Sequence, residues 1–246
     1  MDFSKISYRS FIGRLVRLPL RLIPKAMVLP ILQGQLRGKK WIVGSGEHGY
    51  WLGSYEIHKR RAFEKEIKPH VVVYDIGANV GFYSILAAQL AGEKGKVYAF
   101  EPLNRNVEYI RRHARLNKMK NIEVFEAAVS DQSGEALFDL GVSIATGHLS
   151  ESGSVKVPLV CLDDMVSTGD ILPADIMKVD VEGAEYAALQ GAQRLIEEHR
   201  PIIFLDTHGR DVHDLTIKLL TSYGYQFEIL DNRSLPEAKE LIARPG

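Results

Sequence analysis

The apolar run Val71 to Tyr74 closes on Asp75, passes through the glycine-bearing turn Ile76-Gly77-Ala78-Asn79-Val80-Gly81, and resumes at Phe82 with helical spacing. That order is the signature of a buried strand, a tight loop and a helix start. A second such strand, Val97-Tyr98-Ala99-Phe100, ends in Glu101-Pro102 about one βαβ unit later. Two units of this kind commit the chain to a parallel sheet with helices packed on it. An acid at the tip of the second strand lies where such folds grip a ribose diol. The pair therefore points to a nucleoside-bearing cofactor.

From residue 70 onward the alternation continues. Strands are expected near 71–75, 96–100, 121–125, 175–180, 201–206 and 225–230, and helices near 80–91, 104–117, 184–197 and 211–223. The predicted fold is α/β, a mostly parallel sheet covered on both faces. Residues 134–162 break the rhythm. Ala136-Leu-Phe-Asp139 and Val155-Lys-Val-Pro-Leu-Val160 read as extra strands around a glycine- and serine-rich loop, 141–154. That loop, with His148 in it, either reaches toward a substrate or is plain connection.

The identity of the cofactor follows from what the loop lacks. A dinucleotide fingerprint needs glycine at its first, third and sixth positions so that backbone can approach a pyrophosphate. Counted from Gly77, those positions hold Gly77, Asn79 and Phe82. S-adenosylmethionine has no phosphate; it offers an amino-acid end, a sulfonium and a ribose. Asp75 before the glycines suits an ammonium, and the N–H groups of Gly77, Ala78, Asn79 and Gly81 near a helix start suit a carboxylate. Taken alone, Asp75 and Gly77 also fit an ordinary strand-to-helix turn. Glu101 weighs against that bland reading.

Four segments in order resemble the FkbM family of S-adenosylmethionine-dependent methyltransferases: Asp75 to Ser84, Phe100-Glu-Pro102 with Asn106, Ala127-Ala-Val-Ser-Asp131, and Met177 to Glu185. The resemblance covers roughly residues 50 to 244. It implies a class I Rossmann-like methyltransferase fold, with a seven-stranded sheet in the order 3-2-1-4-5-7-6 whose last strand is antiparallel, and O-methylation, often of sugars, glycans or polyketide-type small molecules. It also implies cofactor contacts from Asp75, Gly77, Ala78, Asn79, Gly81, Glu101, Pro102, Asn106 and Ala128, with Ala127 and Ala128 enclosing adenine. Small residues there also simply allow close packing. Two departures stand out. Leu103 to Asn106 lacks an expected second proline, and Asp206-Thr-His208 has aspartate where glutamate is commoner.

Methylating a hydroxyl needs a base or a metal, because a protonated hydroxyl is a poor nucleophile. In open α/β sheets the site lies beyond the carboxyl ends of the strands. The fourth strand ends in Lys178-Val-Asp180 and runs on to Glu182; the fifth ends in Asp206-Thr-His208. Side by side, Asp180, Glu182, Asp206 and His208 would converge. His208 is the expected base, since imidazole titrates near neutrality, with Asp180 or Glu182 orienting it or the acceptor. Asp180, Asp206 and His208 could instead hold a magnesium ion, although no ligand spacing is diagnostic. Lys178 reads as a neighbour neutralising an acid. Glu185 serves a helix dipole or the cofactor. His199 and His213 are expected at the surface without a role.

Charge is uneven. Lys5, Arg9, Arg14, Arg17, Arg21, Lys25, Arg37, Lys39 and Lys40 stand against Asp2 alone in residues 1–40, nine bases to one acid, or +8, which leaves −8 on the rest of a neutral chain. We expect a basic N-terminal arm and cap over 1–69 and a cofactor-binding domain over 70–246. The arm either lies on a membrane surface, covers the site, pairs subunits, or packs as a helical arm on the core. Trp51 and Tyr55 either stack on a sugar or anchor the core. No stretch reaches the roughly 18 apolar residues of a membrane span, and arginines interrupt any secretory signal. The single cysteine, Cys161, fits a reducing cytosol. A cytoplasmic location is expected, with peripheral membrane contact if the arm docks. The expected partner is a small-molecule or glycan acceptor, not nucleic acid. Two rival readings remain open at this point: an NAD-dependent oxidoreductase, and an inactive docked module.

Overall fold

The computed structural model describes residues 19–139, 148–149, 153–231 and 233–246. A hairpin of β1 (Val28–Pro30) and β2 (Lys40–Ile42) leads to α1 (His48–Leu52) and α2 (Ile57–Glu66). The alternating region follows: β3 (Val72–Ile76), α3 (Phe82–Ala91), β4 (Lys96–Phe100), α4 (Asn104–Leu116) and β5 (Ile122–Phe125). An insertion brings β6 (Ala128–Val129), β7 (Gly134–Asp139), β8 (His148–Leu149) and β9 (Val155–Val160). The chain closes with α5 (Leu162–Thr168), β10 (Ile176–Val179), α6 (Glu185–Gln190), α7 (Gln193–His199), β11 (Ile202–Asp206), α8 (Arg210–Ser222), β12 (Tyr225–Ile229) and β13 (Glu240–Pro245).

Seven strands form one sheet in the order β5-β4-β3-β10-β11-β13-β12. This is the order expected from the sequence. Only β13 runs antiparallel to its neighbours, β11 and β12. Strands buried on both faces read as continuous apolar runs, which is why β3 and β4 were visible as Val/Tyr/Phe stretches. Alternation along β3 assigns the faces. Val73 joins one buried cluster with Phe63, Leu86 and Trp41, while Tyr74 and Ile76 join the other with Met177 and Leu189. Asp75 lies on the Val73 side. The insertion strands form a separate small sheet, β6-β9-β7-β8.

Two expectations need correction. The helix expected over 184–197 is broken into α6 and α7 at Gly191, where a Cβ would sit 2.0 Å from the Ser130 carbonyl oxygen. The second half is capped from another element: the Asp163 carboxylate accepts from the N–H groups of Arg194 and Leu195 at 2.9 and 3.0 Å. The helical-arm alternative also fails over residues 19–42, and the helices of the N-terminal region, α1 and α2, come after them. A single 3₁₀ turn, Pro19–Leu22, precedes the β1–β2 hairpin. Residues 1–18 lie outside the described residues, as does most of loop 141–154.

The hairpin is tied to the sheet through His113, which is fully buried and stacked on Trp41 at 3.7 Å. Its Nε2 accepts from the Ile42 N–H at 3.2 Å, and its Nδ1–H donates to the Val80 carbonyl at 3.0 Å. One partner is a donor and the other an acceptor, so a single neutral tautomer satisfies both. Burial pushes the imidazole down to about 4, which keeps it in that form. Val80 belongs to the glycine loop, so the N-terminal hairpin braces that loop directly.

Candidate active site

A cavity of about 320 Å³ opens beyond the carboxyl ends of β3, β4, β10 and β11. At one end stand Glu101, Pro102, Asn106, Ala127 and Ala128 with the loop residues Gly77 to Val80. At the other stand Tyr50, Tyr55, Glu56 and Lys59 from the N-terminal segment, facing Asp180, Glu182 and His208.

Glu101 is held by backbone rather than by a cation. Its Oε2 accepts from the Asn79 N–H at 2.8 Å, and its Oε1 accepts from the Leu103 N–H at 3.0 Å and the Asn106 amide at 3.2 Å. Burial pushes its carboxyl up to about 7, against those hydrogen bonds. Asn79 sits in the left-handed region (φ 49°) to deliver its N–H. Gly77 needs both its positive φ (77°) and its missing side chain, since a Cβ would lie 1.9 Å from the Asp180 carbonyl oxygen.

Two residues expected to touch the cofactor are placed behind the cavity wall. Asp75 is 1% exposed and accepts from the Ser84 hydroxyl at 2.5 Å, with Lys178 Nζ at 3.8 Å. The reason is its β3 face, which points toward α3. Gly81 precedes α3 with φ 89° and packs against Ile110. Ala78, Asn79, Pro102, Asn106 and Ala128 line the cavity as expected.

The opposite end is a charge network with members that strand reasoning missed. Lys59 Nζ contacts both Asp206 oxygens at 2.9 and 3.0 Å and Glu56 at 2.8 Å. Burial opposes its charge, but Asp206 and Glu56 outweigh that and push the ammonium's pKa up. Tyr83 donates to Glu56 at 2.8 Å, and the ammonium groups of Lys59 and Lys178 stand over its ring at 5.8 and 5.2 Å from the centroid. Lys178 donates to Asp180 at 3.2 Å. Burial would raise the Asp180 carboxyl, but Lys178, Lys59 and His208 hold it below its ordinary value.

His208 is positioned by Glu185. Its Nδ1 is 2.8 Å from Glu185 Oε1, and its Nε2 is 3.6 Å from Glu182 Oε2. Glu185 is fully buried and also accepts from the Gly183 N–H at 3.0 Å. The Glu185 hydrogen bond raises the imidazole's pKa against burial, with Glu182 adding to the rise. Glu182 sits in the left-handed region (φ 49°), a strained setting for a non-glycine residue at a loop that presents side chains. Glu185 is therefore more than a helix-dipole acid; it orients the histidine. His213 is also no surface residue: it is 4% exposed, with Nδ1 3.0 Å from the Thr207 hydroxyl. Trp51 is a core anchor whose indole donates to His48 at 3.1 Å, whereas Tyr55 lines the cavity.

The sequence offered Asp180, Asp206 and His208 as the ligand set only as an alternative, should a metal be bound. Among the described residues, the donors that come within 4.8 Å of one another are Asp180, Glu182 and His208. Asp206 is committed to Lys59.

The residues present fit S-adenosylmethionine. A backbone-cradled carboxylate suits a ribose diol, a slot bordered by Ala127 and Ala128 suits a flat base, and a predominantly acidic wall suits a sulfonium. We expect cofactor affinity to weaken as pH falls below about 7, because a ribose hydroxyl donates better to the ionised Glu101. Titration of wild type and Glu101→Gln across pH 5.5–8.5 checks this: the variant should bind more weakly at pH 8, by roughly 1–3 kcal/mol, with a flatter pH profile. An unchanged pH profile in the variant would mean another group titrates.

Comparison with known proteins is consistent with this geometry. Residues 75–227 match the methyltransferase FkbM domain family. Hexuronic acid methyltransferase AglP of Haloferax volcanii is 26% identical over 171 residues, covering 69% of each chain. The 2-O-methyltransferase NoeI of Sinorhizobium fredii is 29% identical over 199 residues, covering 72% of this chain and 80% of that one. The crystal structure of methyltransferase FkbM from Methylobacillus flagellatus superposes with a TM-score of 0.51 at 20% identity, over 71% of this chain and 43% of that one. A transferase from Pyrococcus horikoshii superposes over 96% of this chain and 82% of its own, with a TM-score of 0.53 at 15% identity. These two structural likenesses speak to the fold.

Proposed function

Because the chain belongs to the FkbM family of S-adenosylmethionine-dependent methyltransferases, we propose that it methylates a hydroxyl of a sugar, glycan or similar small natural product. The observation that carries this reading is the Glu185–His208 pair opening into the cavity opposite Glu101. Sugar hydroxyls are favoured because two relatives, at 26 and 29% identity, are named for a hexuronic acid and a 2-O position. Tyr50 and Tyr55, tilted against each other at 4.4 Å in the cavity wall, offer ring faces for a pyranose. On this reading residues 19–69 form a cap over the acceptor end, and residues from 70 form the cofactor-binding domain.

When bound, the cofactor supplies a methyl group already activated by its sulfonium. The residues have five tasks. Glu101 holds the ribose, and the loop from Gly77 holds the amino-acid end. His208 Nε2 takes the proton of the acceptor hydroxyl. Glu185 keeps Nδ1–H fixed so that Nε2 is the free acceptor, and its charge stabilises the imidazolium that forms. Asp180, ionised beside Lys178, and Glu182 accept hydrogen bonds from neighbouring acceptor hydroxyls. Tyr50, Tyr55 and Phe138 shield the reacting atoms from water.

The test is incubation with S-adenosylmethionine and a panel of neutral sugars, uronates and glycosides, followed by mass analysis of the products. A gain of one methylene on an oxygen supports the proposal; transfer to nitrogen or carbon acceptors alone overturns it. Magnesium gives a second reading of Asp180, Glu182 and His208. Asp180 is already neutralised by Lys178, whose ammonium would repel a second cation there. We therefore expect turnover with the preferred acceptor to survive EDTA within about twofold, and loss restored by added magnesium would favour the metal.

A further inference from the structure

We propose that the outer face of the β1–β2 hairpin docks the enzyme onto an anionic lipid bilayer. Seven large apolar residues are exposed among the described residues, and four of them, Leu22, Met27, Val28 and Leu32, fall within eleven positions. The exposed large apolar residues are thus concentrated on one short segment of the chain. Alternation accounts for the β1 members: Leu29 and Ile31 point inward, with Trp41 opposite Leu29, whereas Val28, Pro30 and Leu32 point outward, with Lys40 opposite Pro30 and the buried Ile42 opposite Val28. Leu22 and Met27 are exposed on the turn that leads into the strand. The inward side is locked by Trp41 on His113, so the outward side is held on a rigid base.

The charge that this segment itself carries is of one sign. Lys25, Arg37 and Lys40 are exposed beside it, and the sequence contains no acid between Asp2 and Glu47. Apolar side chains among bases fit the boundary of a bilayer, where the side chains enter the acyl region and the bases meet anionic headgroups. A second copy of the chain fits poorly, because a two-fold interface would set the same bases against each other. A nucleic acid would use the bases but gain nothing from exposed leucines. No described helix is long and apolar enough to cross a membrane, so the contact is peripheral.

The test is co-sedimentation of the full chain with vesicles of pure phosphatidylcholine and of phosphatidylcholine with phosphatidylglycerol. We expect binding to the anionic vesicles only, weakened by 0.5 M salt. Leu22→Ser, Met27→Ser, Val28→Ser and Leu32→Ser combined should reduce it at least tenfold while leaving cofactor affinity and the melting curve unchanged. Should that variant fail to fold, Lys25→Gln, Arg37→Gln and Lys40→Gln carry the test, each costing roughly fivefold in partitioning. Absence of vesicle binding overturns the proposal, as does binding unaffected by both variants. A dimer in sedimentation equilibrium that the serine variant dissociates would assign the face to self-association. Vesicle binding displaced by a random DNA duplex, with the serine variant retaining DNA affinity, would assign the bases to nucleic acid.

Discussion

Lys59→Met is expected to destabilise the fold by about 3–5 kcal/mol, the cost of removing one partner from a buried charge pair. The ammonium is 4% exposed and sits within 3.0 Å of Asp206 and Glu56. Methionine fills much of the same volume, so packing loss is small. What remains is two carboxylates facing one another without their cation. For a chain of this size the melting temperature should fall on the order of 10 °C. The double substitution Lys59→Met with Asp206→Leu should recover part of the loss, since replacing both members of a buried pair by apolar groups is often near neutral. A single-variant loss below about 1 kcal/mol would show that the network is solvated and contributes as a surface pair does. The measurement is chemical denaturation followed by circular dichroism, with the slope checked against wild type.

His208→Ala should lower the turnover number by a factor of roughly 10² to 10⁴ while cofactor affinity stays within a few-fold. The imidazole contacts Glu185 and Glu182, not the Glu101 end of the cavity. Base catalysis requires the neutral ring, and the Glu185 hydrogen bond raises its pKa from an ordinary 6.5. Turnover should therefore climb with pH through a value above 6.5 and level off once the ring is deprotonated. Glu185→Gln removes the charge that causes the rise, so the rising limb should move to lower pH. It should also slow the plateau, because the carboxamide can present an N–H that favours the wrong tautomer. Loss of cofactor binding in His208→Ala, with turnover per bound complex retained, would remove His208 from the chemistry.

The sheet was legible because its strands are buried on both faces and its turns carry glycine, so the alternation survives in one dimension. The cofactor end was legible for the same reason: Glu101, Asn79 and Ala128 are placed by backbone near strand ends. The acceptor end was not. Lys59 meets Asp206 across 147 residues, and no local pattern announces such a pair. Glu185 looked like an ordinary first-turn acid because that position favours acids in any helix. The hairpin at 28–42 was hidden because its strands are three residues each, too short for alternation to show. Asp206 is the last residue of β11, and its engagement by Lys59 rather than by Asp180 and His208 depends on that same distant contact. Past Val179 the loop, not the pleat, aims Asp180 and Glu182.

The most direct test is calorimetric titration of the purified protein with S-adenosylmethionine, its demethylated product and NAD. Saturable one-to-one binding of both sulfur compounds, with no heat from NAD, is the result predicted by the Asp-x-Gly loop and the backbone-held Glu101. NAD binding, or no binding of either sulfur compound, would contradict the cofactor assignment on which the role of every cavity residue rests.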